Sequence, residues 1–147
     1  MKTNEKITGK LNQLLADYQI YYQNLRGLHW NVKGNLFFAL HAKYEELYNE
    51  AAEVIDELAE RILMIGGKPQ HSFSEYLKTA ALKEVVNVSG ASEGVQVVLE
   101  NSRYLLGVVR EVNELAAGAG DEGTVALMSD LIRTTEKRIW MFEAYLG

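Results

Sequence analysis

The chain reads LHWNVKGNLFFALHAKYEELYNEAAEVIDELAE between residues 28 and 60. Two histidines stand in the first half of this stretch, and two carboxylates four residues apart stand at its end. Imidazole and carboxylate together suit a first-row transition metal such as iron, whereas Mg²⁺ and Ca²⁺ prefer ligands that are all oxygen. The stretch therefore predicts a transition-metal site, whose candidate ligands are His29, His41, Glu45, Asp56 and Glu60.

Apolar residues recur at spacings of three and four in this stretch and on both sides of it, which is the pattern of amphipathic helices. Four long helices are predicted, over about residues 7–34, 35–65, 95–115 and 125–146. The second helix ends at Gly66-Gly67-Lys68-Pro69, because glycine commonly caps a helix and a following proline cannot continue it.

A connection of roughly 25 residues separates the second and third helices, which is long for a simple up-and-down bundle. Ser72 and Glu75 form a Ser-x-x-Glu capping box, which predicts a short extra helix through Leu82. A connection of this length can cross the bundle from end to end, as in ferritin-like folds, and leave the flanking helices parallel. The predicted fold is all-α, with residues 1–147 forming one ferritin-like four-helix bundle whose long crossover carries a short helix.

Composition narrows the functional classes. The chain has 147 residues, 48% of them hydrophobic, with one proline and no cysteine. These values indicate a well-packed protein without disulfides or thiolate metal sites. No apolar run approaches the ~18 residues of a membrane span, and the polar first ten residues lack the apolar segment of a secretory signal. We therefore expect a cytoplasmic protein with no membrane partner.

The charge of the chain bears on nucleic-acid binding. A formal net charge of −5 disfavours non-specific contact with DNA, whose phosphates attract a basic face. Lys2, Lys6 and Lys10 are the candidates for a basic tail near the start, and Glu5 lies among them. They make a weak tail, so DNA binding is not expected. An acidic protein instead attracts cations, in agreement with a metal site.

The two ligand clusters lie too far apart along the second helix to bind one ion. Fifteen residues separate His41 from Asp56, which is about 22 Å at a rise of ~1.5 Å per residue. Metal–ligand bonds are only ~2.0–2.2 Å long. Two arrangements remain open. Either each cluster is completed by neighbouring helices of the same chain, or two copies of the second helix pack antiparallel across a twofold axis.

Di-iron bundles of the first kind carry Glu-x-x-His motifs on two helices. No glutamate stands three positions before any of the three histidines, so this motif is absent. The second arrangement is therefore favoured. A twofold contact repeats itself, so it creates two equivalent sites about 22 Å apart. Each site combines His29 and His41, facing each other across the turn near Gly34, with Asp56 and Glu60 of the partner copy.

Short motifs are spread over the chain: Leu28-His29-Trp30-Asn31, Gly34-Asn35, Glu60-Arg61, Gly66-Gly67 and the closing WMFEAYL of residues 140–146. Together with the spacing His-x11-His-x14-Asp-x3-Glu, they resemble the Dps-like mini-ferritin family over essentially the whole chain. The resemblance implies a four-helix subunit with a short helix in its crossover. It also implies assembly of such subunits into a hollow homododecamer.

The resemblance further implies a function. Members of this family oxidise Fe²⁺ to Fe³⁺, usually with hydrogen peroxide, at di-iron-type ferroxidase centres on the twofold interface. They store the ferric product as mineral, which protects against oxidative stress. Carried over to this chain, the catalytic ligands are His29, His41, Asp56 and Glu60, and Glu45 stands where many members carry aspartate. Zinc or manganese can occupy the same ligands.

Several alternatives stay open. The first is a DNA-compacting nucleoid protein of the same fold, with iron oxidation secondary; the second is a helical scaffold with a vestigial site. Members that bind DNA generally use a terminal extension rich in lysine and arginine. Trp30 is either a radical-quenching residue beside the site or an interface aromatic. Asp121, Glu122 and Asp130 either line an ion-entry pore or interact with a helix dipole.

Overall fold

The computed structural model describes residues 4–147 and contains five helices, with no strand among these residues. The helices are α1 (Glu5–Asn31), α2 (Phe37–Met64), α3 (Phe73–Thr79), α4 (Ala91–Gly118) and α5 (Glu122–Leu146). The prediction of four long helices with a short one in the crossover is confirmed. Lys6 and Lys10, two of the three candidate tail lysines, lie inside α1, and Lys2 lies outside the described residues.

Ion pairs and hydrogen bonds define how the long helices run. The turn between α1 and α2 contains Gly34, whose φ of +111° is a conformation that favours glycine. Lys10 near the start of α1 pairs with Glu111 near the end of α4 at 2.7 Å, and Asn24 further along α1 bonds Asn101 at 3.0 Å. Helix α1 is thus antiparallel to α4. Because α1 is also antiparallel to α2 across the tight turn, α2 and α4 are parallel, as the crossover predicts.

The capping box at the start of α3 is present. The Ser72 hydroxyl accepts a hydrogen bond from the Glu75 backbone N–H at 3.3 Å and donates one to the Glu75 carboxylate at 2.9 Å. The backbone N–H of His71 also donates to this carboxylate, at 3.1 Å, and that bond is the main reason that the pKa of Glu75 lies below its usual value. His71 itself is exposed, as expected of a surface residue. Helix α3 ends at Thr79 rather than Leu82.

Two buried polar residues of α1 explain why α3 stops early. Asp17 accepts hydrogen bonds from the backbone N–H groups of Ala81 and Leu82 at 2.8 and 2.9 Å. Asn24 accepts one from Val85 at 3.0 Å and donates one to the carbonyl of Lys83 at the same distance. These side chains hold the backbone of the crossover in an extended path along α1. Its polar groups are therefore satisfied without a helix.

A charged link ties the end of α2 to the start of α5. Arg61 bonds the Asp121 carboxylate at 2.7 Å and the Thr124 hydroxyl at 3.0 Å. A β-carbon at residue 123 would overlap the Arg61 guanidinium, so Gly123 makes this approach possible. Apolar side chains form one continuous core along all four long helices. Within residues 4–147 no helix has the length and apolar character needed to cross a bilayer.

Candidate metal site

The two histidines face each other across the α1–α2 turn. His29 lies in the last turn of α1 and His41 in the second turn of α2, with ring centroids 3.7 Å apart and ring planes only 12° from parallel. Nδ1 of His29 lies 2.6 Å from the carbonyl oxygen of His41, and Nδ1 of His41 lies 2.8 Å from the carbonyl oxygen of His29. A carbonyl only accepts, so each Nδ1 must carry the proton. In each neutral ring Nε2 therefore keeps a lone pair for a metal.

Two aromatic rings complete the packing around the histidines. Phe37 stacks on the face of His41 that His29 leaves open, with centroids 4.7 Å apart and planes 21° apart. Tyr48 packs edge-on against His29, at 5.3 Å and 85°. The rings of Phe37, His41, His29 and Tyr48 therefore follow one another through the site. Sequence reasoning missed Phe37 and Tyr48 as parts of the site, although Phe37 precedes His41 by four residues and so shares its helix face.

Glu45 lies next to the histidines, one helical turn after His41. Its Oε1 is 3.6 Å from Nε2 of His29. Two atoms that far apart, each ~2.1 Å from a common ion, subtend an angle of about 120° at that ion. This angle is acceptable for a first-row metal, so an ion on His29 can also reach Glu45. The geometry is compatible with Glu45 as a further ligand.

Asp56 and Glu60 do not join this group within one chain. Both are exposed on α2, further along the helix than His41 and Glu45. They lie on the same side of α2 as those residues, because fifteen residues correspond to four full turns plus about 60° of rotation. In the described part of the chain, no three His, Asp or Glu side chains come together closely enough to hold a metal ion. Within one protomer the predicted ligands therefore form two separate clusters.

Exposed apolar side chains lie at both ends of α2. Phe38 is 84% exposed at the start of the helix, and Leu63 and Met64 are 59% and 62% exposed at its end. Trp30, which follows His29, is 57% exposed and packs against the guanidinium of Arg26 at 4.9 Å. Apolar side chains that are this exposed and share one surface mark a contact region. Along α2, the predicted ligands His41, Glu45, Asp56 and Glu60 lie between Phe38 and Leu63.

The three candidate pore residues have different surroundings. Asp121 caps α5, because its carboxylate accepts bonds from the backbone and hydroxyl of Thr124. Burial alone would raise the pKa of Asp121, but these bonds and the Arg61 guanidinium outweigh burial and lower it. Asp130 pairs with Arg133. Glu122 is exposed. Asp121 thus has a structural role within the chain, and a pore role for Glu122 and Asp130 stays a prediction.

Comparisons with known proteins bear on this arrangement. The sequence profile of the ferritin-like domain matches residues 8–147. A DNA protection during starvation protein from Porphyromonas gingivalis is 47% identical over 135 residues, which are 92% of this chain and 85% of that protein. General stress protein 20U of Bacillus subtilis is 39% identical over 144 residues, covering 98% of this chain and 99% of that protein.

A solved structure agrees over the full length. The Dps protein from Vibrio cholerae O1, described as a member of a broad superfamily of ferritin-like diiron-carboxylate proteins, matches with a TM-score of 0.97 at 47% identity. The match covers 100% of this chain and 98% of that one. The Dps protein from Bacillus brevis matches with a TM-score of 0.96 at 38% identity, over 100% of both chains.

Proposed function

The chain belongs to the Dps-like mini-ferritin family, and on that premise we propose that it is a ferroxidase. It oxidises Fe²⁺ with hydrogen peroxide at sites shared between two copies, and it stores the ferric product as mineral in a hollow homododecamer. The observation that carries this proposal is the pair His29 and His41, whose Nδ1 atoms are fixed by carbonyls while their Nε2 atoms stay available to metal. Iron is the substrate, and Zn²⁺ or Mn²⁺ are possible substitutes on the same ligands.

The stacking of the two imidazoles supports two iron ions rather than one. A metal bound to Nε2 lies in the plane of its ring, ~2.1 Å from the nitrogen. The two rings are nearly parallel and 3.7 Å apart, so one ion cannot lie in both planes at bonding distance. Each histidine instead presents its own ion. Two ions held side by side on these rings would form a two-metal site, in which ions lie ~3.5–4 Å apart.

The exposed carboxylates of Asp56 and Glu60 supply the oxygen ligands that the two histidines do not provide. In an antiparallel pair of α2 helices, residue 41 of one copy lies beside residues 56–60 of the other, so Asp56 and Glu60 of the second copy complete the site. The same pairing brings Phe38 beside Leu63 and Met64 of the second copy and buries these exposed side chains. Carboxylates bridging two ions add negative charge, which favours Fe³⁺ over Fe²⁺.

Two adjacent ions suit the chemistry of peroxide. Reduction of hydrogen peroxide to water takes two electrons, and two Fe²⁺ ions each supply one: 2 Fe²⁺ + H₂O₂ + 2 H⁺ → 2 Fe³⁺ + 2 H₂O. When both electrons come from one site, no hydroxyl radical is released between the steps. The reaction consumes peroxide and Fe²⁺ together, so it protects a cytoplasm under oxidative stress.

The direct test removes the histidines. We expect His29→Ala and His41→Ala each to slow peroxide-dependent Fe²⁺ oxidation about 10-fold or more, in line with the 10–100-fold effects seen at metal sites. His71→Ala is the matched control, because His71 is exposed in the crossover and its ring bonds the nearby carbonyl oxygen of Pro69. Oxidation is followed by stopped-flow absorbance of the ferric product. Unchanged rates in both site variants would rule out the proposed site.

A complementation experiment tests whether the site is shared. One chain carries His29→Ala with His41→Ala, and the other carries Asp56→Ala with Glu60→Ala. Co-expression should restore about a quarter of wild-type activity, because half of random dimers are mixed and each mixed dimer holds one intact site. Each variant alone should be inactive. If the ligands acted within one chain, the mixture would be as inactive as its parts.

Binding to DNA is the second candidate, because relatives such as the Porphyromonas gingivalis protein bear the name DNA protection during starvation protein. The net charge of −5 opposes direct contact with phosphates. A gel-shift titration at low salt separates DNA binding from iron oxidation alone: retardation of DNA at micromolar protein would favour DNA compaction.

Dialysis against Fe²⁺ followed by metal analysis addresses the third candidate, a helical scaffold. A scaffold would retain no stoichiometric iron.

A further inference from the structure

We propose that Phe37 is a positioning residue for the ion that binds His41. Phe37 stacks on one face of His41, and His29 stacks on the other face. The inference rests on the proposed ferroxidase function and adds a residue that does not itself touch iron. Phe37 holds the plane of the His41 imidazole, and through it the direction of the Nε2 lone pair.

The need for such support follows from the torsion that sets the ring plane. The χ2 angle of histidine joins an sp³ and an sp² carbon, and its energy wells are broad. The rotamer alone therefore leaves the imidazole free to swing. For His41, the constraints are the bond from Nδ1 to the carbonyl of His29 and the rings on both faces. Removing the Phe37 ring takes the stacked ring away from one of these faces.

His29 does not depend on Phe37 in this way. It is only 6% exposed, with His41 on one face and the edge of Tyr48 against it. Phe37 makes no ring contact with His29 among those of residues 4–147. The two ions of one site should therefore respond differently when Phe37 is changed. This asymmetry distinguishes positioning of one ligand from a general loss of structure.

The start of α2 adds a second reason for the stack. Phe37 is the first residue of α2, and its N-cap residue Leu36 makes no side-chain capping hydrogen bond within the described chain. The backbone N–H of Phe37 donates instead to the carbonyl oxygen of Gly34 at 3.1 Å. The ring of Phe37, one turn before His41, packs this turn against the site. The ring that stacks on His41 therefore belongs to the first turn of α2.

The test uses Co²⁺, which binds such ligands without being oxidised under anaerobic conditions. Calorimetric titration of the assembled wild-type protein should show two binding steps per site. In Phe37→Leu and Phe37→Met, we expect one step to weaken about 10–100-fold, as happens when outer partners of metal ligands are removed, and the other to change less than about 2-fold. Phe37→Tyr, which keeps the ring, should restore the weakened step.

Different results would contradict the positioning role of Phe37 and the proposed ferroxidase function. Phe73→Leu is the matched control, because Phe73 is an exposed phenylalanine on α3 and should leave both steps unchanged. His41→Ala should remove the step that Phe37→Leu weakens. If folded, assembled Phe37→Leu and Phe37→Met bind both ions like wild type, or lose both steps equally, the positioning role is wrong. If wild type itself binds no Co²⁺ stoichiometrically, the proposed function fails instead.

Discussion

The hydroxyl oxygen of Tyr44 occupies the space that a β-carbon at residue 94 would need. Tyr44 is a fully buried residue of α2, and Gly94 lies in the first turn of α4, so this contact joins the two parallel helices. The hydroxyl finds no hydrogen-bond partner among residues 4–147, and burial raises the pKa of Tyr44 to about 12. The hydroxyl group of Tyr44 thus leaves room only for glycine at position 94.

Replacing Gly94 with alanine should therefore destabilise the protein. Overpacking of a filled core costs about 1–3 kcal/mol, and we expect Gly94→Ala to lower the free energy of unfolding by that amount. Gly107→Ala is the control on the same helix, because a β-carbon there meets nothing within 4 Å. It should raise stability by about 0.5–1 kcal/mol. Urea unfolding at one fixed protein concentration measures both.

A second substitution identifies the clashing atom. In Tyr44→Phe the hydroxyl oxygen is gone, and the next atoms near a β-carbon at 94 lie at 3.4 and 3.5 Å, an ordinary contact. Tyr44→Phe should therefore recover most of the stability lost in Gly94→Ala. The double-mutant cycle gives this coupling directly. Additive losses would show that the defect of Gly94→Ala lies elsewhere.

The buried carboxylate of Asp17 predicts a graded pair of substitutions. Asp17→Ala leaves the N–H groups of Ala81 and Leu82 and the hydroxyl of Tyr104 without their acceptor. A fully buried unpaired group costs about 1–3 kcal/mol and these groups are only partly buried, so we expect a total loss of about 2–3 kcal/mol. Asp17→Asn keeps one acceptor oxygen and should lose less. Hydrogen exchange at residues 81 and 82 should quicken only in the alanine variant.

The link between Arg61 and Asp121 predicts a dependence on pH. The pKa of Asp121 lies below its ordinary value of 3.8, because its bonds to Thr124 and Arg61 outweigh its burial. A carboxyl whose pKa is lower in the folded than in the unfolded state stabilises the fold at high pH and loses that contribution as pH falls below its ordinary value. The stability difference between wild type and Asp121→Asn should therefore shrink below about pH 4. A constant difference down to pH 2 would contradict this.

Ala52 tests the proposed pairing of α2 helices. It is exposed on the same side of α2 as Glu45 and Asp56, and it lies close to the midpoint between them. In an antiparallel pair two copies of residue 52 approach each other, so two arginines there would clash and repel. We expect Ala52→Arg to lower the oligomeric mass in sedimentation and to abolish peroxide-dependent Fe²⁺ oxidation. Ala52→Ser is the conservative control and should assemble normally.

The helices and the crossover were predictable because their signals are local. Apolar periodicity and the Ser72–Glu75 box depend on neighbours in the sequence, and the structure confirms both. The beginning of α4 was harder to predict. Its first turn from Ala91 is mostly exposed, and the regularly spaced buried residues begin only at Gly94 and Val95. Composition gives no hint that such a turn is helical.

Long-range polar contacts were not predictable from the pattern. Arg61 follows Glu60 directly, yet it bonds Asp121, sixty residues away. Asp17 is fully buried although its side chain is polar, because its hydrogen-bond partners come from the crossover. The pairing of His29 with His41 was predicted from the turn. The ring of Phe37 on His41 depends on side-chain directions that spacing alone does not fix.

The crossover has a consequence for the order of folding. Its anchors join Asp17 to Ala81 and Asn24 to Val85, with separations of 64 and 61 residues, and Lys33 donates its backbone N–H to Ser89. Closing loops of this size carries a large entropic cost, whereas the α1–α2 and α4–α5 hairpins close over short turns. The two helical hairpins should therefore form first, and the hydrogen bonds between the crossover and α1 should form last. Substitutions at Asp17 and Asn24 should mainly speed unfolding and leave the folding rate nearly unchanged.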